Sequence, residues 1–442
     1  MSKSSVDGTG FLNIYDRLTG VFNEIFDSRL LTVALIALEG YCVLFTQRKF
    51  PMRWMYFVLF GMILLLFVTL SARTGTRRRV SLHKGMMILW FSLHGMMVLS
   101  GLFYQDWLPE SVSLLICYPF TFTVFASRSD DATFRPILRA CVIGALPFLI
   151  ASWIRVPLSP AYPGYMGIFY DANCLAMSCV VMATASFLLA YVNYVEHKLG
   201  LMLLDCVLGI LGFATLVCTL SRSCLLAFCG VALVLISSII AGTAKHPKRW
   251  LAAIAILVIL GIAGGIKITR DKIWQAYEED YALAIEVSHR DNVPVTLPKP
   301  EERTLTMDDL TSDRWGIWTE IVHHITWNGH ETSVIREWVA KDGAGDRHFN
   351  AHNAFLGIIY NNGIIAGLLL IAYTILATVR AFRYYWLHRH KSPLACTPLA
   401  FCVVFILVGM FESVYAPFSV IGCTFLLVQA PLWRSNLEDR GE

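Results

Sequence analysis

Long apolar runs separated by short polar connections make up most of this chain. An α-helix needs about 20 mainly apolar residues to cross about 30 Å of hydrocarbon. Because no water satisfies the backbone inside a bilayer, each run must be a helix that bonds its own N–H and C=O groups. The pattern predicts twelve transmembrane helices, near residues 30–46, 51–71, 84–104, 109–127, 135–154, 172–194, 200–219, 223–242, 249–267, 354–379, 393–412 and 417–433.

Composition agrees with this pattern. The chain is 56% hydrophobic and only 15% charged, and its mean hydropathy is +0.58. Soluble domains are about 25% charged. The predicted fold class is therefore an all-α polytopic membrane protein.

The placement of Lys and Arg predicts the orientation in the membrane. Basic residues follow the second, fourth, sixth, eighth and tenth predicted helices, whereas residues 105–110 and 413–417 contain none. Cytoplasmic connections carry the excess of Lys and Arg in membrane proteins. Both termini are then cytoplasmic, and the one long polar connection, of about 80 residues, lies on the other side. The pair Arg48-Lys49 with Arg53 does not fit this rule.

The chain divides accordingly into five parts. Apolar residues recur at helical spacing between positions 11 and 26, which predicts an amphipathic helix on the cytoplasmic membrane surface or one packed on the bundle. The predicted parts are a cytoplasmic amphipathic segment (1–28), transmembrane helices 1 to 9 (29–268), a large external loop (269–351), transmembrane helices 10 to 12 (352–433) and a cytoplasmic tail (434–442).

Familiar nucleotide and metal motifs are missing from the sequence. It contains no GxxxxGK[ST] loop, no GxGxxG after a strand and no HExxH. All 12 cysteines lie within or at the ends of predicted helices, so we expect no disulfides in the long loop and no CxxC metal site. We expect neither nucleotide hydrolysis nor a bound metal or cofactor, and the net charge of +4 reports topology and not nucleic-acid binding.

Four polar groups interrupt the pattern, and the topology places them on one side of the membrane. They are Gly167 to Asn173 before the sixth helix, Thr219 to Ser223 between the seventh and eighth, Arg314 with Trp315 and Trp318 in the long loop, and His352-Asn353 with Leu356, Asn362 and Gly363 at the tenth helix. Their shared side makes them candidates for one site.

Each candidate has a functional and a structural interpretation. Arg222 offers a planar fork of donors suited to phosphate oxygens, although an arginine at a membrane boundary also binds lipid headgroups. Arg314 begins a short amphipathic helix and equally fits an ordinary surface position. His352 suits general-base work near neutral pH, whereas a histidine at a helix start often bonds only to backbone. His94, deep in the third helix, is expected to be structural, with Glu39 as a candidate partner.

The order of these motifs resembles the bacterial O-antigen ligase and polymerase superfamily. The sequence has Gly-x-x-x-x-x-Asn before a helix, Ser-Arg at an outer turn, Arg-x-x-x-Trp in a long loop, and then His-Asn-x-x-Leu followed by Asn-Gly. The resemblance covers about residues 160–370 by motif. It departs from the family at residues 325–330, where members often have a Pro-x-x-Gly-x-Gly turn.

The resemblance implies a fold similar to C-type glycosyltransferases, with the long loop in the periplasm and the protein in the inner membrane. It implies a ligase that transfers O-antigen from undecaprenyl diphosphate to lipid A–core, without metal and with inversion at the anomeric carbon. His352 would be the catalytic base, and Arg222 and Arg314 would bind the diphosphate. Asn173, Asn353 and Ser221 would bind or orient substrate or His352. The implied partners are the two glycolipids and membrane lipids.

Three alternatives remain open at this point. A polymerase of the same superfamily would use similar residues. A protein O-oligosaccharyltransferase is less favoured. Such enzymes often carry a large external domain after the last helix, whereas here residues 434–442 follow it. A transporter or lipid flippase would use Glu39 and Asp205 as intramembrane ion sites. We expect the long loop to act as a lid that brings Arg314 over a site at the membrane surface.

Overall fold

The computed structural model describes residues 28–47, 54–73, 80–104, 108–156, 164–242, 314–330 and 351–438, with isolated helical positions between 265 and 286. Three predictions lie outside the described residues: the amphipathic helix at 11–26, most of the ninth transmembrane helix at 249–267 and most of the long loop. They stay predictions.

The described residues form an assembly of helices. The α-helices are α1 Ser28–Gln47, α2 Trp54–Ala72, α3 Lys84–Tyr104, α4 Leu108–Ala126, α5 Asp130–Arg155, α6 Ala172–Val195, α7 Leu199–Thr219, α8 Arg222–Gly242, α9 Arg314–His323, α10 Ala354–Asn362, α11 Ile364–His388, α12 Thr397–Gly409 and α13 Val420–Gln429. Two 3₁₀ segments, Pro393–Cys396 and Ala430–Trp433, precede α12 and follow α13.

Eight of these helices, α2 to α8 and α11, are long and apolar enough to cross a membrane. Three shorter apolar segments, Leu30–Thr46, Pro393–Gly409 and Val420–Trp433, lie where the first, eleventh and twelfth helices were predicted. The class of all-helical polytopic membrane protein is confirmed. The total of twelve spans stays a prediction.

The tenth predicted helix, 354–379, is wrong as a single element. The chain forms α10 and then α11, with Gly363 between them at φ +92°. Only a residue without a side chain adopts this backbone readily. The apolar pattern continues across the break, so hydropathy does not reveal it. The spanning helix is therefore Ile364–His388, and His352 precedes a short separate helix.

Helix α6 is the most deeply buried of the helices long enough to span a membrane. Its buried positions include many small residues, which let neighbouring helices approach closely in a membrane protein. Gly212 of α7 illustrates this, since an added Cβ there would lie 3.3 Å from the backbone nitrogen of Ala183. The side chain of Asp171 caps the start of α6 by accepting from the Cys174 amide at 2.7 Å. The core thus fixes α6 and α7 beside each other.

The C-terminal segment packs into the end of the bundle at which α5 begins. The buried guanidinium of Arg434 donates to the Asp130 carboxylate at 2.7 Å and to the Ala126 carbonyl at 2.7 Å. The Tyr384 hydroxyl donates to the second oxygen of Asp130 at 2.5 Å. Arg380 donates to the Leu432 carbonyl at 2.8 Å. Part of the predicted tail is therefore an integral part of the fold.

We expect Arg434→Ala to be strongly destabilising. It removes the buried ion pair between Arg434 and Asp130, and breaking a buried ion pair from one side costs about 3–5 kcal/mol. Thermal unfolding of the purified protein in detergent measures this. Arg383→Ala, at an exposed position of α11, is the control and should leave the unfolding temperature unchanged. Equal unfolding temperatures for the two variants would contradict the expectation.

The expected pairing of His94 with Glu39 is wrong. His94 is fully buried and bonds through Nε2 to the Tyr415 hydroxyl at 2.7 Å and through Nδ1 to the Trp90 carbonyl at 2.8 Å. Glu39 instead accepts from the Thr424 hydroxyl at 3.1 Å. The reason is that α13, and not α3, presents a polar side chain to Glu39. Both residues belong to the packing of the bundle.

Candidate functional site

The turn between α7 and α8 is short because Leu220 adopts the left-handed conformation, at φ +57°. Its amide bonds back to the Val217 carbonyl, and α8 begins two residues later at Arg222. Ser221 is buried, and its hydroxyl lies 3.4 Å from that of Ser223. Arg222 is exposed. The turn therefore presents the guanidinium at the end of the bundle.

The loop before α6 packs against this turn. The Tyr165 amide donates to the Cys218 carbonyl at 2.9 Å, and an added Cβ on Gly164 would lie 2.6 Å from the Thr219 carbonyl oxygen. Asn173 follows in the first turn of α6 and is half-buried. Among the described residues, its side chain has no hydrogen bond to His352. The structure thus places Asn173 beside the loop that packs on the α7–α8 turn.

Helix α9 carries Arg314 into a buried position. The guanidinium Nη2 donates to Oε1 of Glu412 at 2.5 Å, and its side chain is only 11% exposed. One turn later, the indole N–H of Trp318 donates to the Ala351 carbonyl at 2.9 Å. A small apolar cluster fastens α9 to α10, formed by Ile317, Ile321, Ala351, Leu356 and Tyr360. The arginine therefore belongs to the interior of the site.

His352 sits directly before α10 in a left-handed conformation, at φ +45°. This conformation is uncommon for a residue with a side chain, and such residues cluster at functional sites. Its Nδ1–H donates to Oε2 of Glu412 at 3.2 Å, and its side chain is 35% exposed. The imidazole is thus anchored on one edge and accessible at the surface.

Asn353 holds the start of α10 in place. Its side-chain oxygen accepts from the amides of Phe355 and Leu356 at 2.9 and 3.0 Å. Its side-chain nitrogen donates to the Met410 carbonyl at 2.9 Å. Asn353 was predicted to orient His352 or a substrate hydroxyl. These bonds fix the backbone next to His352 and tie it to the segment that carries Glu412.

Glu412 connects Arg314 to His352. The sequence did not single it out. The buried carboxylate of Glu412 accepts from Arg314 with one oxygen and from His352 with the other. It follows α12, in the connection at residues 410–419, which contains no Lys or Arg. An acidic residue at the edge of an apolar run is a signal for a functional carboxylate, so the position was detectable but its partners were not.

The first turn of α8 lies next to this cluster. The buried Cys224 thiol is within electrostatic range of both Glu412 and Arg314, and α8 packs on α12, which leads to Glu412. Arg222 occupies the exposed side of the same turn. The structure therefore brings Arg314 and His352 together on one carboxylate, with Arg222 at the edge of a neighbouring helix.

This arrangement suits proton transfer by His352 beside a buried arginine–carboxylate pair. Because the Nδ1–H bond to Glu412 fixes the tautomer, the lone pair of the neutral ring is on Nε2. The carboxylate also stabilises the imidazolium that forms when the ring takes a proton. In the part of the chain that the structure describes, no group of three or more His, Cys, Asp or Glu side chains is placed to hold a metal ion.

Comparison with protein families finds a match over residues 207–371, to the family model described as O-antigen ligase. The match contains Arg222, Arg314 and His352 in their order, and it ends before Glu412. Comparison with curated proteins finds no matching relative.

Proposed function

We propose that this chain, whose residues 207–371 match the O-antigen ligase family model, is the ligase of lipopolysaccharide assembly. Members of this superfamily are glycosyl-transferring enzymes. The proposed donor is O-antigen on undecaprenyl diphosphate, and the proposed acceptor is lipid A–core. The reaction takes place on the periplasmic side of the inner membrane, with both termini of the protein in the cytoplasm. The observation that carries the proposal is the Glu412 carboxylate shared by Arg314 and His352.

His352 acts as the general base in the proposed reaction. The Nε2 lone pair takes the proton from an acceptor hydroxyl as that oxygen attacks the anomeric carbon of the donor. The bond from the anomeric carbon to the phosphate oxygen breaks, and undecaprenyl diphosphate leaves with the electron pair. A single displacement inverts the anomeric carbon and requires no covalent sugar–enzyme intermediate.

The arginines supply the charge for the leaving group. Negative charge builds on the diphosphate as the glycosidic bond breaks, and preorganised donors aimed at that charge lower the barrier. Arg222 is exposed at the start of α8, where a lipid-borne diphosphate has access. One N–H of Arg314 is bonded to Glu412, and its remaining donors supply the second contact. Ser221 and Asn173 line the adjoining turns as orienting groups.

The donor explains how such a protein works without a nucleotide. The diphosphate leaving group is already activated, so chemical energy enters with the lipid-linked glycan. In this scheme the long loop acts as a lid that brings Arg314 onto Glu412. A polymerase of the same superfamily would use the same chemistry with a second lipid-linked glycan as acceptor. The two assignments differ in which glycan is lost when the gene is deleted.

Glycan analysis of a deletion strain tests the assignment. A ligase deletion leaves bare core and accumulates lipid-linked polymer, whereas a polymerase deletion leaves core capped with a single repeat. Complementation with Arg222→Ala is expected to restore transfer at a rate about 10²-fold or more below wild type, since removing one charge-stabilising donor costs about that much. Arg155→Ala, another exposed arginine, is the matched control and should complement fully. Core capped with one repeat in the deletion strain would overturn the ligase assignment.

A further inference from the structure

We propose that a backbone junction at Gly329 and Gly363, fastened by Ser100, is a positioning device for the site. The junction, here the glycine clasp, consists of residues 326–329 after α9 and residues 361–364 between α10 and α11. The inference rests on the proposed function for its catalytic readout. It assigns Ser100, Gly329 and Gly363 as positioning residues that act through α9 on Arg314.

The two segments of the glycine clasp approach each other more closely than a side chain at either glycine would permit. Gly329 has φ +90° and Gly363 has φ +92°. An added Cβ on Gly329 would lie 2.2 Å from the Asn361 carbonyl oxygen, and one on Gly363 would lie 2.0 Å from the Trp327 carbonyl oxygen. Each glycine thus makes room for the backbone of the opposite segment. This mutual requirement is not met by any other residue type.

Hydrogen bonds hold the clasp closed. The Ile364 amide, the first of α11, donates to the Thr326 carbonyl at 3.0 Å. The Thr326 hydroxyl donates to the Gly329 carbonyl at 2.8 Å and accepts from the Gly329 amide at 3.0 Å. The turn after α9 is therefore closed on itself and bonded to the start of a spanning helix.

Ser100 fastens both segments from α3. Its buried hydroxyl lies 2.8 Å from the Asn328 carbonyl oxygen and 3.2 Å from the Asn361 carbonyl oxygen. The single O–H of Ser100, in the last part of α3, is thus shared between carbonyl groups of both halves of the junction, with the shorter contact to Asn328. Nothing in the family motifs used above points to this position. Its role follows only from the two carbonyl groups that converge on it.

The clasp determines where Arg314 is held. Helix α9 has 10 residues, a length of about 15 Å. Arg314 at its first residue is bonded to Glu412, and the clasp begins three residues after its last. Fixing both ends sets the register of the helix over Glu412. Release of the clasp end lets the helix shift, and a misplacement of about 1 Å in a catalytic contact can lower the rate by about 10²-fold.

The test uses the full-length protein in detergent with matched variants. Ser100→Ala removes the fastening hydroxyl, and Ser100→Thr restores one. Gly363→Ala opens the clasp directly. Gly95→Ala on α3 is the control, because an added Cβ there meets no atom of a neighbouring segment within 4 Å. Hydrogen–deuterium exchange of residues 314–330 and 361–366 reports the clasp without reference to any activity.

The expected result has two parts. Ser100→Ala and Gly363→Ala accelerate exchange in residues 314–330 and lower kcat about 10- to 100-fold, with Ser100→Thr close to wild type and the Gly95→Ala control unchanged. Combining Ser100→Ala with Arg314→Ala should lower kcat no further than Arg314→Ala alone, since residues that act through one contact are not additive.

Three results would overturn the proposal: unchanged exchange in Ser100→Ala and Gly363→Ala, faster exchange with normal kcat, or fully additive losses with Arg314→Ala. The exchange measurement separates this failure from failure of the proposed function. If the wild-type protein makes no conjugate, the ligase assignment falls, while the exchange rates still decide whether Ser100 closes the clasp.

Discussion

The His352→Ala protein is expected to form conjugate at least about 10²-fold more slowly than wild type, since a positioned general base contributes about 10²- to 10⁴-fold. The ring is held through Nδ1 by Glu412 at 3.2 Å and is partly open to the surface. Alanine removes the proton acceptor and keeps the rest of the site. The measurement is turnover of purified protein with lipid-linked O-antigen and lipid A–core.

His197→Ala is the matched control for this prediction. His197 also has a positive φ, +60°, and lies in the connection between α6 and α7. Substitution there removes a histidine from the same unusual backbone conformation without touching the site. Its turnover should equal that of wild type. Near-normal turnover of His352→Ala would remove the general base from the mechanism, whatever the control does.

Glu412→Gln is expected to lower turnover by about 10² or more, comparable with loss of a charge-stabilising group. Glutamine has nearly the same shape but no charge. It no longer favours the imidazolium of His352, and it leaves the buried guanidinium of Arg314 without its counter-charge. Because the pair is buried, the variant also loses stability. Turnover is therefore compared after confirming equal folded fractions by gel filtration in detergent.

Glu39→Gln is the control for a buried carboxylate and also tests the transporter alternative. Glu39 is buried as deeply as Glu412 and is bonded to Thr424, away from the site. Conjugate formation should be unaffected. A large loss in Glu39→Gln together with normal turnover in Glu412→Gln would contradict the assigned site and favour an intramembrane ion pathway. Proton-coupled uptake in liposomes would then be the next measurement.

The membrane class and the resemblance to the O-antigen ligase family were accessible from the sequence because both depend on local properties. A helix crosses the bilayer when its own residues are apolar over the necessary length, and eight described helices satisfy this. The order of Ser221-Arg222, Arg314 and His352 is likewise a property of the chain alone. The family match over residues 207–371 confirms the resemblance inferred from that order.

Other features could not be predicted from the sequence because they depend on contacts between residues far apart along the chain. Glu412 lies 98 residues from Arg314 and 60 from His352, so no local pattern pairs them. The break at Gly363 sits inside a continuous apolar run, and only the opposing carbonyl of Trp327 explains it. Ser100 meets the clasp from α3, across 228 residues.

The sequence alone determined that the chain is built of apolar helices long enough to cross a membrane and which family chemistry to expect. The bilayer makes these properties local, since each helix must satisfy its own backbone and cover itself with apolar side chains. Only the tertiary structure decided which carboxylate joins Arg314 to His352 and how α9 is held above it. Burying a charge requires a partner, and that partner is chosen by packing, which brings distant parts of the chain together.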